Sequence, residues 1–184
     1  MTFNDGWNDE SIDVDETITE TDHKNADAMG RPPVGKYLCE CIDSKPEQVE
    51  FKAYSCIGAN LKFEIKKPLE VEGKPVDSKA TEELVGKIIT DTIALYSPLE
   101  KEGMKNRRIL IAKRMGLISD GADCLTTDMW ATGVLGKQVI INFIENSWKD
   151  KNTGEIKKNN KVAFDGYDYA DKAEVQTQDD FSDI

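Results

Sequence analysis

The sequence predicts an all-β fold with one main helix, flanked by two acidic ends. Three observations predict it. Five segments of strand length are rich in apolar residues, and the clearest of them alternate apolar with polar positions. One segment, between the third and the fourth, changes to helical spacing. Apolar residues form 39% of the 184-residue chain, enough for one ordinary domain with tails, and they thin out toward both ends.

Charge divides the chain in the same way. Residues 1–30 carry nine acids and one base, and residues 165–184 carry seven acids and one base. Against a whole-chain net charge of −11, residues 31–164 are therefore net +3. A mildly basic centre lies between acidic ends, so the overall charge is a poor guide to what the centre binds. Segments of high charge and low hydrophobicity bury too little surface to offset their ordering entropy. The expected organisation is an acidic disordered arm over 1–30, a folded domain over 31–170 and an acidic flexible tail over 171–184. No stretch approaches the ~18 consecutive apolar residues of a membrane helix. The start, "MTFNDGWNDESIDVDET", lacks a basic region followed by an apolar run, so no secretory signal is read and the expected location is the cytoplasm.

The elements follow in order. "RPPVG" is a stiff turn. In "KYLCECID", Tyr37, Cys39 and Cys41 share one face, which makes a strand; "KPEQ" is read as its end. "FKAYSCIGANLKFEIKK" is a long second strand with Leu61, Phe63 and Ile65 on one face and Asn60, Lys62, Glu64 and Lys66 on the other. Gly58 marks a bulge or bend in it. "PLEVEGKPVDS" reads as a protruding hairpin, and "GKIITDTIALYSP" as the third strand. Met104, Ile111 and Met115 then recur at helical spacing, and Gly116 followed by Leu117 is a glycine-capped helix end. "TTDMWATGVLG" adds a short helical turn. "KQVIINFIENSW" is the fourth strand, "KDKNTGEIKKNN" a loop, and "KVAFDGYDY" the fifth strand. Three strands, a helix and two strands match a five-stranded Greek-key barrel of the oligonucleotide/oligosaccharide-binding (OB) type.

No catalytic arrangement is present in this pattern. The single histidine, His23, lies in the acidic arm, so no Ser-His or Cys-His dyad is available to the core. There is no phosphate-cradling glycine motif. Cys39 and Cys41 form C-x-C without the second close ligand pair of a zinc site, and reduced, partly buried thiols are the expectation. The acids of "ISDGAD" read as a solvated turn, because calcium-loop spacing is missing. A non-enzymatic protein without cofactor or metal is expected.

Binding chemistry is better represented. Barrels of this kind hold single strands using cations for phosphates and aromatic faces for bases. The fourth-to-fifth strand connection places Trp148 beside Lys149 and Lys151, with Lys157, Lys158 and Lys161 on the return. Tyr54 and Lys62 lie on the second strand, and Arg107 and Arg108 on the helix. The bland alternatives are a lysine-rich hairpin protected from edge pairing and a solvated helix face.

The last residues, "DDFSDI", resemble the acidic, phenylalanine-bearing C-terminal tip of single-stranded DNA-binding proteins, although Phe181 is not terminal here and no proline accompanies it. The core, from "PVGKYLCECI" through "LGKQVIINFI" to "KVAFDGY", is similar to phage single-stranded DNA-binding proteins. The resemblance implies a role in phage DNA replication or recombination. It also implies that Asp179, Asp180, Phe181, Asp183 and Ile184 recruit replication or recombination proteins. A single aromatic anchor among carboxylates suits a basic, apolar pocket on such a partner. The competing expectation is a β-rich protein-interaction module, its acidic ends mimicking DNA, that binds no nucleic acid.

Overall fold

The computed structural model describes residues 16–28, 30–50, 53–76 and 81–175. The chain divides into two compact units at Gly30/Arg31.

In the first unit, Glu20–Ala28 form α1. Its start is a reciprocal cap. The Asp22 N–H donates to Thr19 Oγ1 at 3.2 Å, and the Thr19 N–H donates to Asp22 Oδ2 at 2.8 Å. The side-chain bond from Thr19 holds the Asp22 carboxyl below its usual range. This corrects the expectation of an arm without regular structure, at least over residues 20–28. Composition reports burial, and a capping box satisfies helix-end groups without burying anything.

The second unit is mostly β: one open antiparallel sheet of six strands. They are β1 (Gly35–Glu50), β2 (Ser55–Val71), β3 (Lys74–Pro75), β4 (Ile88–Tyr96), β5 (Gln138–Lys149) and β6 (Ile156–Tyr169). The path across the sheet is β3-β2-β1-β5-β6, with β4 on β2 beside β3. β1 and β2 form a long hairpin pairing Gly35 with Val71 at one end and Glu50 with Ser55 at the other. β1 thus runs through Pro46, where a break was expected. Beyond Glu40 it has no ladder to β5, and an edge position tolerates the missing N–H of proline. The β2–β3 turn has positive φ at both Glu72 and Gly73, the conformation that two-residue hairpins require.

The alternating faces converge as the sequence implies. Tyr37, Cys39, Cys41, Leu61, Phe63 and Ile65 are all fully buried. Ile89, Ile93, Val139 and Ile141 join them from β4 and β5, with Ile111 from the helix and Trp130 from a π-helical turn at Met129–Gly133. Burial pushes the Cys39 thiol up to about 12 and the Cys41 thiol up to about 11, so both stay protonated at neutral pH. Gly35 is tied to its place, since a Cβ there would lie 2.1 Å from the Glu70 carbonyl oxygen.

α2 (Glu102–Arg114) ends as expected. The Gly116 N–H donates to Lys113 O at 3.0 Å and the Leu117 N–H to Ala112 O at 2.8 Å, with Gly116 at φ 72°. That is the paired closure of a glycine C-cap. α2 packs against both β4 and β6. Lys172–Val175 form a short α3 in which Ala173 is buried, so ordered structure continues past the expected start of the tail at 171. Among the described residues, no helix is long and apolar enough to cross a membrane.

Candidate nucleic-acid interface

The β5–β6 connection is shorter than its sequence suggests, because all of "IKKNN" is strand. The ladder runs out to Lys149 opposite Ile156, leaving a tight turn over 150–155. Asp150 builds that turn. Its Oδ1 accepts the Asn152 N–H at 2.8 Å, its carbonyl accepts the Gly154 N–H at 2.8 Å, and its other carboxylate oxygen takes the Lys157 ammonium. The Lys157 bond, with the backbone N–H groups of Asn152 and Thr153, lowers the Asp150 carboxyl to about 2.

Register then sorts the expected binding residues. Trp148 lies opposite Lys157, Asn146 opposite Asn159 and Ile144 opposite Lys161. Directly opposed residues share a face, so Trp148, Lys157 and Lys161 line one side of the hairpin, with two asparagines between them. Trp148 is 44% exposed. Lys149 and Lys158 lie on the other side, opposite Ile156 and Ser147. Lys151 sits in the turn and is exposed.

Ion pairs occupy some of these cations. Lys158 pairs with Glu145 at 2.9 Å and Lys62 with Asp43 at 3.2 Å, while Lys157 holds Asp150. Lys149, Lys151 and Lys161 form no ion pair among the described residues. Tyr54 lies at the tip of the β1–β2 hairpin, half-buried, and is not brought beside Trp148 by any ladder.

The two helix arginines are structural struts. Arg107 Nη2 donates to Asp91 Oδ2 on β4 at 2.6 Å, and its Nε donates to the Phe164 carbonyl on β6 at 2.7 Å. The buried Tyr167 hydroxyl, on β6, donates to the same Asp91 oxygen at 2.5 Å. Burial, then the Asp91 charge, push the Tyr167 phenol well above its usual range, which keeps it a donor. Arg108 Nη1 donates to Ala94 O at 2.9 Å and meets Glu100 at 2.6 Å. Both arginines thus face the gap between β4 and β6, the two strands that end the open sheet. Sequence reasoning missed this use because it depends on which strands end the sheet.

It also missed Phe164. "AFDGY" reads as continuous strand, yet the ladder jumps from Phe143↔Val162 to Ile141↔Tyr167. Residues 163–166 bulge, and Phe164 turns outward. The available signal was Gly166, since an isolated strand glycine marks a bulge.

Among the described residues, no group of three or more His, Cys, Asp or Glu is placed to hold a metal ion. Cys39, Cys41 and Cys56 are buried and Cys124 is exposed, all as free thiols. Asp179, Asp180, Phe181, Asp183 and Ile184, expected to recruit partners, lie outside the described residues. Searches against protein-family models and curated proteins give no match to the chain.

Proposed function

We propose that the chain is a non-enzymatic single-stranded DNA-binding protein of phage DNA replication or recombination, acting in the host cytoplasm. It binds strands along an OB-type barrel and recruits partners through its acidic C-terminal tip. The observation that carries this is the register of the β5–β6 hairpin, which sets Trp148, Lys157 and Lys161 on one face. An exposed indole for stacking and cations for phosphates are what single-strand binding needs. Barrel closure is supported by the strand order. β1, β2 and β4 run as a meander, β5 returns to β1, and β6 ends the sheet, the connectivity of a Greek-key barrel of this type. The bonds that Arg107 and Tyr167 make to Asp91 favour bringing β6 against β4.

The test is a tryptophan-fluorescence titration with oligo-dT at two salt concentrations, with a duplex of equal length as competitor. Binding should weaken steeply with salt as phosphate contacts are screened, and the single strand should bind more tightly, because a duplex hides its base faces. Equal or tighter duplex binding would remove the proposal.

A second reading is favoured by one observation: Lys62, Lys157 and Lys158 each meet a carboxylate. A protein-interaction module would present such a balanced surface. It predicts no response to oligo-dT at either salt concentration.

A further inference from the structure

The bulge in β6 creates a site away from the Trp148 tip. Asn142 alone faces residues 163–166. Gly166 permits this, since a Cβ there would lie 2.7 Å from Ala163 Cβ and 2.8 Å from the Asn142 carbonyl oxygen. The outcome is a phenylalanine ring, Phe164, that is 59% exposed yet held in place. Arg107 bonds its carbonyl at 2.7 Å and lies 5.4 Å from its ring centroid. Gly103, in the first turn of α2, lies beside the ring, where a Cβ would make ordinary contact at 3.9 Å from Phe164 Cζ.

The ring borders a groove of about 300 Å³ between β4, α2 and β6. Its walls are apolar at Ile93, Ala94, Met104 and Val162, and Thr92, Arg108 and the paired charges of Asp91 and Arg107 line it as well. Lys161 stands at the same groove without an ion pair among the described residues. An exposed aromatic costs free energy, and one immobilised beside an unpaired cation and an open groove has the makings of a stacking platform.

We propose that this groove holds one nucleotide of a bound single strand, its base stacked on Phe164 and its phosphate at Lys161. The inference rests on the single-strand reading above and deepens it. Lys161 also belongs to the hairpin face that carries Trp148 and Lys157. Four residue steps along the strand take Lys157 to Lys161, roughly 13 Å. A strand stacked on Trp148 thus has a continuous path along that face to Phe164. Met104 and Ala94 suit the base edge, and Arg107, already committed to Asp91, serves to hold the ring rather than to contact phosphate.

The experiment measures oligo-dT affinity and thermal melting for the parent, Phe164→Ala, Phe164→Leu, Phe164→Trp and Lys161→Ala. Phe164→Ala is expected to weaken binding roughly 5- to 150-fold, the span of one lost base stack. Phe164→Leu, which keeps an apolar cover over Arg107, should melt like the parent and bind as weakly as the alanine variant. Phe164→Trp should retain affinity and add a fluorescence signal that the oligonucleotide quenches. Lys161→Ala should lower the log-log salt slope by about 0.7, one phosphate contact. If the parent binds oligo-dT and a folded Phe164→Leu binds equally well, the groove is no base site, and the wider single-strand reading survives. If the parent itself does not bind, both fall together.

Discussion

At the scale of single residues, Arg107 does the most. Its side chain is only 13% exposed and that of its partner Asp91 15%, so neither charge is well hydrated. Removing one member of such a pair leaves the other buried and unpaired. Arg107→Ala should therefore destabilise the second unit by about 3 kcal/mol, read as a lower midpoint in urea unfolding. A change within a few tenths of a kcal/mol would mean that water replaces the guanidinium at no cost. Asp150 makes a local contribution, confined to its own turn. Its folded carboxyl value, about 2, lies below the ordinary 3.8. A depressed carboxylate stabilises above its unfolded value and loses that effect as pH falls through the folded one. The turn at 150–155 should thus keep its structure at pH 5 and loosen between pH 4 and 2. NMR titration of the Asp150 carboxyl and of the Asn152 and Thr153 amides reads this directly, and a midpoint near 4 would contradict the turn geometry.

At the scale of elements, the β5–β6 hairpin converts a lysine-rich sequence into two different faces. In sequence, Lys157 and Lys158 are neighbours and look equivalent. In the ladder, Lys157 lies across from Trp148 and Lys158 across from Ser147. Trp148→Ala should weaken oligo-dT binding by about 1–3 kcal/mol, the usual value of one stacked base. Lys157→Ala should lower the salt slope by about 0.7, and Lys158→Ala should leave it unchanged. Equal effects from the two lysines would place the strand around the hairpin tip rather than along one face. The same register logic applies to β1 and β2, where the polar side chains facing away from the core are already engaged with each other. Lys62, for example, reaches Asp43 at 3.2 Å, and the Asn60 amide donates to Glu47.

At the scale of the whole molecule, charge is segregated along the chain. Removing residues 176–184 deletes Asp179, Asp180 and Asp183 and no base. Since the deletion begins beyond α3 and its buried Ala173, this truncation should leave the melting temperature unchanged. At low salt it should bind oligo-dT as well as the parent or slightly better, because a competing anionic segment is gone. The difference should shrink at 0.1 M salt, where the Debye length is ~10 Å. Capture of host replication proteins should be lost instead, and Phe181→Ala should reproduce most of that loss, since one aromatic anchor often dominates such contacts. Loss of DNA binding on truncation would make the tail part of the site.

The sequence alone determined which residues face the core. The alternation at 37, 39 and 41 and at 61, 63 and 65 set six fully buried side chains, and Gly116–Leu117 set the end of α2. These are local properties, carried by a two-residue or 3.6-residue period and by one backbone conformation that favours glycine. Thr19 and Asp22 were equally legible as a capping box, but composition drew attention to charge instead. Only the tertiary structure decided which strands are neighbours. Strand pairing is made by backbone hydrogen bonds that every residue offers, so "IKKNN" carries no mark of its strand state, and Trp148 no mark of standing across from Lys157 rather than Lys158. The same holds for Arg107: a helix arginine looks solvated until the positions of β4 and β6 bring Asp91 and the Phe164 carbonyl within its reach.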